Sequence, residues 1–149
     1  MAETNRLRII EKLVERIGGH GAETYPQECC GALLGRDGPD EGVREVLEVL
    51  PLVNRRQDSL CNRFEITPRD VLDADTAAQQ RGMEIVGWYH SHPDSPARPS
   101  EYDREHAWPW YSYVIVSVHR GVAAEMRSWR LNNDRRGHVE EPIEIIAEE

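Results

Sequence analysis

Apolar residues near the start of the chain recur at helical spacing. Positions three or four apart predict a first amphipathic helix, which Gly18 and Gly19 would end. Its apolar residues are Leu7, Ile10, Leu13, Val14 and Ile17. Farther along, continuous apolar runs at residues 29–34 and 43–53 predict two strands, because turn residues separate them at 37–42.

The rest of the chain alternates between strand and helix signals. Thr67 and Pro68 are typical of a helix start, and Gly82 of its end, so a second helix is expected between them. Ser100 begins a third helix. Further strands are predicted at residues 62–66, 84–90, 113–118 and 123–131, with 142–147 as an edge strand or a packed tail. This order indicates an α/β fold, a mixed sheet with helices on its faces.

Length and charge narrow the classes of protein. A chain of 149 residues is expected to form a single domain, residues 1–149. Its net charge of −9 disfavours nucleic acid and anionic membranes as partners. Lys12 is the only lysine. The acidic, arginine-rich composition suits either a high-salt cytoplasm or a biased genomic base composition, and the sequence does not choose between them.

The apolar and cysteine content points to an intracellular protein. No segment has the length of a membrane span, and the first residues lack the apolar core of a signal peptide. Three cysteines form neither a disulfide framework nor a cysteine zinc site, so Cys29 and Cys30 are interpreted as small buried residues and Cys61 is left open. A cytoplasmic location is expected.

The segment from His90 to Asp103 carries the candidate chemistry. His90 and His92 end an apolar strand, where residues two apart share a face, while Ser91 turns to the opposite face. Pro93 stops the strand, and the first turn of the next helix could return Asp103 to the strand end. Two imidazoles and a carboxylate suit zinc, and three protein ligands leave the fourth tetrahedral position for a water. Such an open site is typical of a hydrolase.

Simpler interpretations exist for the same residues. Ser100 and Asp103 would form a helix-capping pair without any metal. A His-x-His pair on a strand is more often a packing or surface pair than a metal site. The joint spacing of the two histidines, Ser100 and Asp103 favours the interpretation as a metal site.

The motif resembles the signature of the JAMM (MPN+) zinc metalloprotease family, H-[ST]-H-P-x(6)-S-x(2)-D, with every anchor position filled. Residues 28–35, 86–89 and 111–117 are also similar to that family. The resemblance implies the MPN fold, which is related to the cytidine-deaminase architecture. It further implies a zinc ion held by His90, His92 and Asp103, a catalytic Glu28, and Ser100 stabilising the oxyanion.

Other residues are interpreted from the sequence alone. Without the resemblance, Glu28 would be an ordinary solvated loop residue, because acidic side chains are mostly exposed. His20, His119 and His138 are expected to be solvated. His106 could contact the metal ligands, although a solvated position is preferred. Packing roles are expected for the aromatic residues Trp108, Trp110, Tyr111 and Tyr113. A solvated face, or one that meets a peptide, is expected for Arg55, Arg56 and Arg63.

The resemblance implies hydrolysis of an amide or isopeptide bond after the C-terminal Gly-Gly of a small ubiquitin-like sulfur-carrier protein. The compact prokaryotic members either release an amino acid such as cysteine or remove the carrier from a lysine, and both remain open here. The tail is expected to pass between residues 94–99 and 55–64. The rivals are a non-catalytic MPN scaffold and a plain metal-binding protein. A deaminase is disfavoured because H-x-E and P-C-x-x-C are absent.

Overall fold

The computed structural model describes residues 5–56 and 65–147. Within these ranges the chain forms one eight-stranded mixed sheet, in the order β7-β6-β5-β4-β2-β3-β1-β8, and three helices. This confirms the predicted α/β class. The strands are β1 (Arg6–Ile10), β2 (Cys30–Asp37), β3 (Val43–Leu52), β4 (Glu84–Pro93), β5 (Ser112–His119), β6 (Val122–Leu131), β7 (His138–Glu141) and β8 (Ile143–Ile146). The helices are α1 (Glu11–Thr24), α2 (Pro68–Gln80) and α3 (Glu101–His106).

The predicted first helix is wrong at both ends. Residues 6–10 form β1, which lies in parallel between β3 and β8, and the helix begins at Glu11. Leu7 and Ile9 are buried two positions apart, as in a strand, while Leu13 and Ile17 are buried four apart, as in a helix. These two periods merge into one apparently helical pattern in the sequence.

Gly18 and Gly21 pack α1 closely onto the sheet, so the glycine pair at 18 and 19 does not end the helix. A Cβ at Gly21 would lie 2.8 Å from a methyl group of Val118, and one at Gly18 would lie 3.1 Å from Cβ of Ala123. Helical glycine costs about 1 kcal/mol relative to alanine. Here the close approach of helix and sheet requires it.

The two faces of the sheet are covered by different helices. Leu13 and Ile17 of α1 pack in a core that includes Tyr89, while Ala74 and Ala78 of α2 pack in a second core with Trp88. Because Trp88 and Tyr89 are neighbours on β4, this strand contributes to both cores. Every residue of β4 from 85 to 92 is buried. The strand that ends in the candidate ligands is therefore central and enclosed.

The helix predicted after Thr67 is confirmed as α2. The Thr67 hydroxyl accepts from the Asp70 N–H at 3.2 Å, the Asp70 carboxylate accepts from the Thr67 N–H, and Gly82 follows the helix with a φ of +68°. Strand β8 confirms an edge strand within 142–147, whereas β7 was not predicted. Most of the strand predicted at 62–66, together with Cys61 and Arg63, lies outside the described residues.

No helix in the described ranges is both long and apolar enough to span a membrane.

A buried polar cluster joins β5, β6 and β7 at the end of β5 remote from the histidines. Glu141 is 2% exposed and accepts from Ser112 Oγ at 2.8 Å, Ser128 Oγ at 2.9 Å and Arg130 Nε at 2.7 Å. Removing one partner of a buried polar network leaves the others desolvated and unpaired. The Glu141 carboxylate therefore holds the outer strands onto the central part of the sheet.

We expect Glu141→Ala to lower the free energy of unfolding by about 3 kcal/mol, because Glu141 is the buried acceptor for Arg130 and for two serine hydroxyls, of which Ser112 would keep only its bond from Arg44. Urea unfolding measures the change. The matched control is Glu140→Ala, which removes an exposed partner of Arg127 and should cost less than about 1 kcal/mol. Equal losses in the two variants would argue against a stabilising role for the cluster.

Candidate metal centre

His90 and His92 point to the same side of β4, as their spacing predicts. Both are buried, with 1% and 7% of their surface exposed. Ser91 turns to the opposite face, where its Oγ accepts from the Cys29 N–H at 2.8 Å. Because β2 and β5 pair with β4 on either side, both imidazoles are held on a fixed backbone.

Asp103 reaches the histidines from the first turn of α3. Ser100 caps this helix, since its Oγ accepts from the Asp103 N–H at 3.1 Å while its own N–H donates to Asp103 Oδ2 at 2.9 Å. The same Oδ2 lies 3.2 Å from His90 Nε2 and 3.0 Å from His92 Nε2. The capping interpretation is confirmed, and the same carboxylate also lies within reach of both imidazoles, as the ligand interpretation requires.

The three candidate ligand atoms form a triangle that suits a tetrahedral metal ion. The two Nε2 atoms are 3.2 Å apart, so all three edges measure 3.0–3.2 Å. When a tetrahedral zinc ion binds its ligands at about 2.0–2.1 Å, the ligand atoms lie about 3.3 Å from one another. The residues present therefore fit such an ion with little rearrangement, and the three make up a group able to hold a metal.

The charges within this group also suit a cation. Burial disfavours ionisation of Asp103, but the neighbouring imidazoles of His90 and His92 outweigh it and hold the pKa of the carboxyl well below its usual range. Burial likewise lowers the pKa of His90, and the Asp103 charge outweighs this, so the net shift is upward. Both pKa shifts have one physical cause, the negative charge of a carboxylate enclosed with imidazoles. A bound metal ion would be attracted by the same charge.

The Pro96 carbonyl holds one ring nitrogen of His92. His92 Nδ1 lies 2.8 Å from the carbonyl oxygen of Pro96. A carbonyl can only accept, so Nδ1 carries a proton and donates to it, and Nε2 is the ring nitrogen that faces the other two ligand atoms.

Glu28 lies beside this group, immediately before β2. It is 4% exposed, and its Oε1 has no hydrogen-bond partner among the described residues. Burial raises the pKa of its carboxyl to about 7. Glu28 shares a cavity of about 210 Å³ with His92 and Ser100. The solvated-loop interpretation of Glu28 is therefore wrong, and the structure brings all five predicted site residues to one place.

A second, apolar cavity of about 290 Å³ opens on the other side, with His90 and Asp103 in its wall. Rings from several elements line it, including Trp88, Tyr113 and Trp108. The sequence did not reveal this cavity, because its walls come from α2, α3, β4, β5 and β7.

The predicted packing role of two tryptophans is wrong, since Trp108 is 64% exposed and Trp110 48% exposed. Both lie in the segment between α3 and β5, outside the sheet. The backbone of Trp108 is nevertheless anchored, because its amide N–H donates to the Tyr113 hydroxyl at 2.8 Å. Trp88, on the central strand, is the buried tryptophan of this region.

Other histidines differ in part from expectation. His20 is half-buried, its Nδ1 lies 2.7 Å from the Tyr89 hydroxyl, and burial lowers its pKa. His138 is also half-buried, beside the apolar cavity, and burial lowers its pKa too. Both were predicted to be solvated. His119 is exposed as predicted, and His106 is exposed and stacks on Tyr102 with ring centroids 4.0 Å apart.

Two of the arginines near the site have described partners. Arg55 Nε and Nη2 each lie 3.2 Å from the Asp70 carboxylate, and Arg56 Nη1 lies 3.4 Å from the Tyr102 hydroxyl. The first pair links the segment after β3 to the start of α2. The second links that segment to α3.

Comparison with known proteins agrees with the site. The chain is 38% identical to a desampylase of Haloferax volcanii over 62% of its length, which is 63% of that relative. It is 28% identical to the CysO-cysteine peptidase of Mycobacterium tuberculosis over 91% of its length and 88% of the relative. A solution structure of a Desulfitobacterium hafniense protein, 33% identical, superposes with a TM-score of 0.81 over 95% of this chain and 94% of that one. Residues 11–132 match the family described as prokaryotic homologues of the JAB domain, and the chain belongs to this family.

Proposed function

We propose that the chain is a zinc-dependent hydrolase that cleaves the amide or isopeptide bond after the C-terminal Gly-Gly of a small ubiquitin-like carrier protein. The family and the relatives named desampylase and CysO-cysteine peptidase indicate a peptidase or isopeptidase. The observation that carries the proposal is the convergence of three candidate ligand atoms beside a buried glutamate whose Oε1 has no hydrogen-bond partner among the described residues. No feature of the described residues favours a non-catalytic scaffold over an enzyme.

His90, His92 and Asp103 would hold the ion through the atoms that already converge. A bound zinc ion supplies Lewis acidity to the scissile carbonyl and makes an attacking water more acidic. Asp103 is kept in place by the Ser100 cap, and His92 by the Pro96 carbonyl. The protein thus fixes the positions of its ligands through their other hydrogen bonds.

Glu28 acts as the proton carrier in this proposal. Its carboxyl has a pKa of about 7, which suits a group that must both accept and release a proton near neutral pH. It takes a proton from the attacking water and gives it to the leaving amine. The small cavity that it shares with His92 and Ser100 is where that water would lie.

Ser100 stabilises the oxyanion. Its Oγ accepts the Asp103 N–H, so its own proton remains available for donation. A donor aimed at the developing charge typically contributes about 10²-fold or more to the rate. Because Ser100 is the cap of α3, the hydroxyl is fixed relative to Asp103 before any substrate arrives.

The relatives and the approach to the site support the proposed substrate class. An extended tail would run beside residues 94–99, whereas most of the other expected wall, residues 55–64, lies outside the described ranges. Glycine lets a backbone approach a metal site closely, because it has no side chain. We therefore propose a Gly-Gly terminus as the acyl side of the bond. Whether an amino acid or a lysine forms the amine side stays open.

Cleavage is expected to fall steeply when the last residue of the carrier is enlarged. In a series of carrier–peptide fusions that differ only at this position, glycine should react at least about 10²-fold faster than leucine, because a side chain would hold the carbonyl away from the ligands. Intact mass spectrometry measures each rate. Equal rates for glycine and leucine would rule out the narrow approach, and no cleavage of any fusion would refute the proposed function.

We also propose a cytoplasmic location. Cys29 and Cys30 are both buried free thiols, which persist in a reducing compartment.

A further inference from the structure

The loop at residues 94–99, which follows β4, has its carbonyl groups fixed by side chains from outside the metal centre. The Ser117 hydroxyl donates to the Ser95 carbonyl at 2.8 Å. The Trp129 indole N–H donates to the Ala97 carbonyl at 3.0 Å. Between these two lies the Pro96 carbonyl, 2.8 Å from His92 Nδ1. Bonds on both sides therefore hold the peptide unit that His92 contacts.

The same loop is tied down where it begins. The Asp94 N–H donates to the Val118 carbonyl at 2.8 Å. Its carboxylate accepts from the Tyr25 hydroxyl at 2.5 Å and from the Arg120 N–H at 2.8 Å. Asp94 has a φ of +54°, in the left-handed region, so these bonds hold a turn that the residue would not favour alone. The loop is thus fixed at its start, before the two carbonyl contacts.

The positions of Ser117 and Trp129 make them suitable supports. Ser117 lies directly opposite His92 on β5, and Trp129 lies on β6, one strand farther from the ligands. Ser117 is 9% exposed, and Ala97, whose carbonyl Trp129 contacts, is fully buried. Neither side chain belongs to the metal-binding group, and the hydrogen bond that each donates goes to the loop.

Zinc would bind His92 through Nε2, the nitrogen that faces His90 and Asp103. The other nitrogen, Nδ1, donates to the Pro96 carbonyl, so this bond fixes the direction in which Nε2 points. If the loop shifted, the ring could turn and Nε2 would leave the triangle of ligand atoms. The site would then hold a metal ion less tightly.

We propose that Trp129 and Ser117 are positioning residues that hold the Pro96 carbonyl against His92, and so set the orientation of this ligand and the affinity of the site for metal. The inference rests on the proposed metal-binding role of His92. Supporting partners of metal-bound histidines typically contribute 10- to 100-fold to metal affinity. Here that contribution would come from the Trp129 indole and the Ser117 hydroxyl, which bind the carbonyl groups on either side of Pro96.

The test uses Trp129→Phe, which keeps the ring and removes the N–H donor, and Ser117→Ala, which removes the other donor independently. In metal-free protein, proton NMR should show the His92 Nδ1–H protected from exchange with solvent in the wild type and exchanging faster in each variant, because the bond to the Pro96 carbonyl is weakened. Competition with a chelator should show zinc binding about 10- to 100-fold weaker in each variant.

Trp110→Phe is the control, because Trp110 is an exposed tryptophan whose indole N–H makes no hydrogen bond within the described part of the chain. It should leave the exchange of the His92 Nδ1–H and the zinc affinity at wild-type values, and thermal unfolding should show that all three variants are folded. Wild-type exchange and affinity in both Trp129→Phe and Ser117→Ala would overturn the inference. Weaker zinc binding without faster exchange would also overturn it. A wild-type protein that binds no zinc would instead refute the proposed function.

Discussion

Replacing Glu28 with glutamine is expected to abolish cleavage and, at the same time, to stabilise the metal-free protein at neutral pH. Glutamine has nearly the same shape but cannot take a proton from water. Loss of a general base typically costs about 10²- to 10⁴-fold in rate, and we expect the upper part of that range because Glu28 would serve in two proton transfers. Cleavage of a carrier fusion with zinc supplied measures this loss.

The gain in stability follows from the raised pKa of Glu28. The carboxyl ionises near 4.5 in the unfolded chain and near 7 in the folded one. Between these values the unfolded chain has lost its proton while the folded protein keeps it, so stability falls as pH rises through this window and then levels off. The full cost is on the order of 1 to 3 kcal/mol, and glutamine would avoid it.

Urea unfolding of metal-free protein at about pH 5 and about pH 8 compares the folded state with Glu28 protonated and with Glu28 ionised. The wild type should lose stability between these conditions relative to Glu28→Gln. Glu15→Gln, at an exposed position on α1, should retain the pH dependence of the wild type. Parallel pH profiles for the wild type and Glu28→Gln would show that burial of this carboxyl has no energetic cost.

Removing any one of the three candidate ligands is expected to abolish both zinc binding and cleavage. Two remaining ligands cannot hold a catalytic ion in a tetrahedral site, since such sites have three protein ligands. His92→Ala removes a ligand and leaves the α3 cap intact. Asp103→Asn retains an oxygen that can accept the Ser100 N–H, so the helix start survives while the carboxylate charge is lost.

Elemental analysis should find less than about a tenth of an equivalent of zinc in these variants and about one equivalent in the wild type. His119→Ala, which alters an exposed histidine, should behave as the wild type. Turnover by metal-free protein would contradict the zinc mechanism. Zinc bound at one equivalent without cleavage of any carrier fusion would identify a plain metal-binding protein.

Local sequence signals predicted which candidate residues meet, because most of them are close together in the chain. His90 and His92 share a face by strand periodicity, and Ser100 and Asp103 meet through one helical turn. Glu28 lies more than sixty residues earlier, and pairing of Cys30 with His90 brings it near. Nothing in the local pattern reveals that pairing, so the resemblance to a known family was needed to single it out.

The errors have a common physical origin in contacts between distant segments. Residues 6–10 become a strand because β3 and β8 flank them, and their apolar spacing alone fits a helix equally well. Trp108 and Trp110 are exposed because the segment between α3 and β5 lies outside the sheet, although large aromatic side chains are typical of a core. The apolar cavity needs five elements, so no single segment carries its signature.

The central position of β4 has a consequence for the whole molecule. Its backbone is hydrogen-bonded to neighbours on both edges and buried on both faces, so the amides at His90 and His92 can meet solvent only when the sheet itself opens. Ligands placed on such a strand are already assembled when an ion arrives. An ion bound there would stabilise the folded state as a unit, by an amount that grows with the logarithm of its concentration. Metal supply and the lifetime of the folded protein would then be coupled through a single strand.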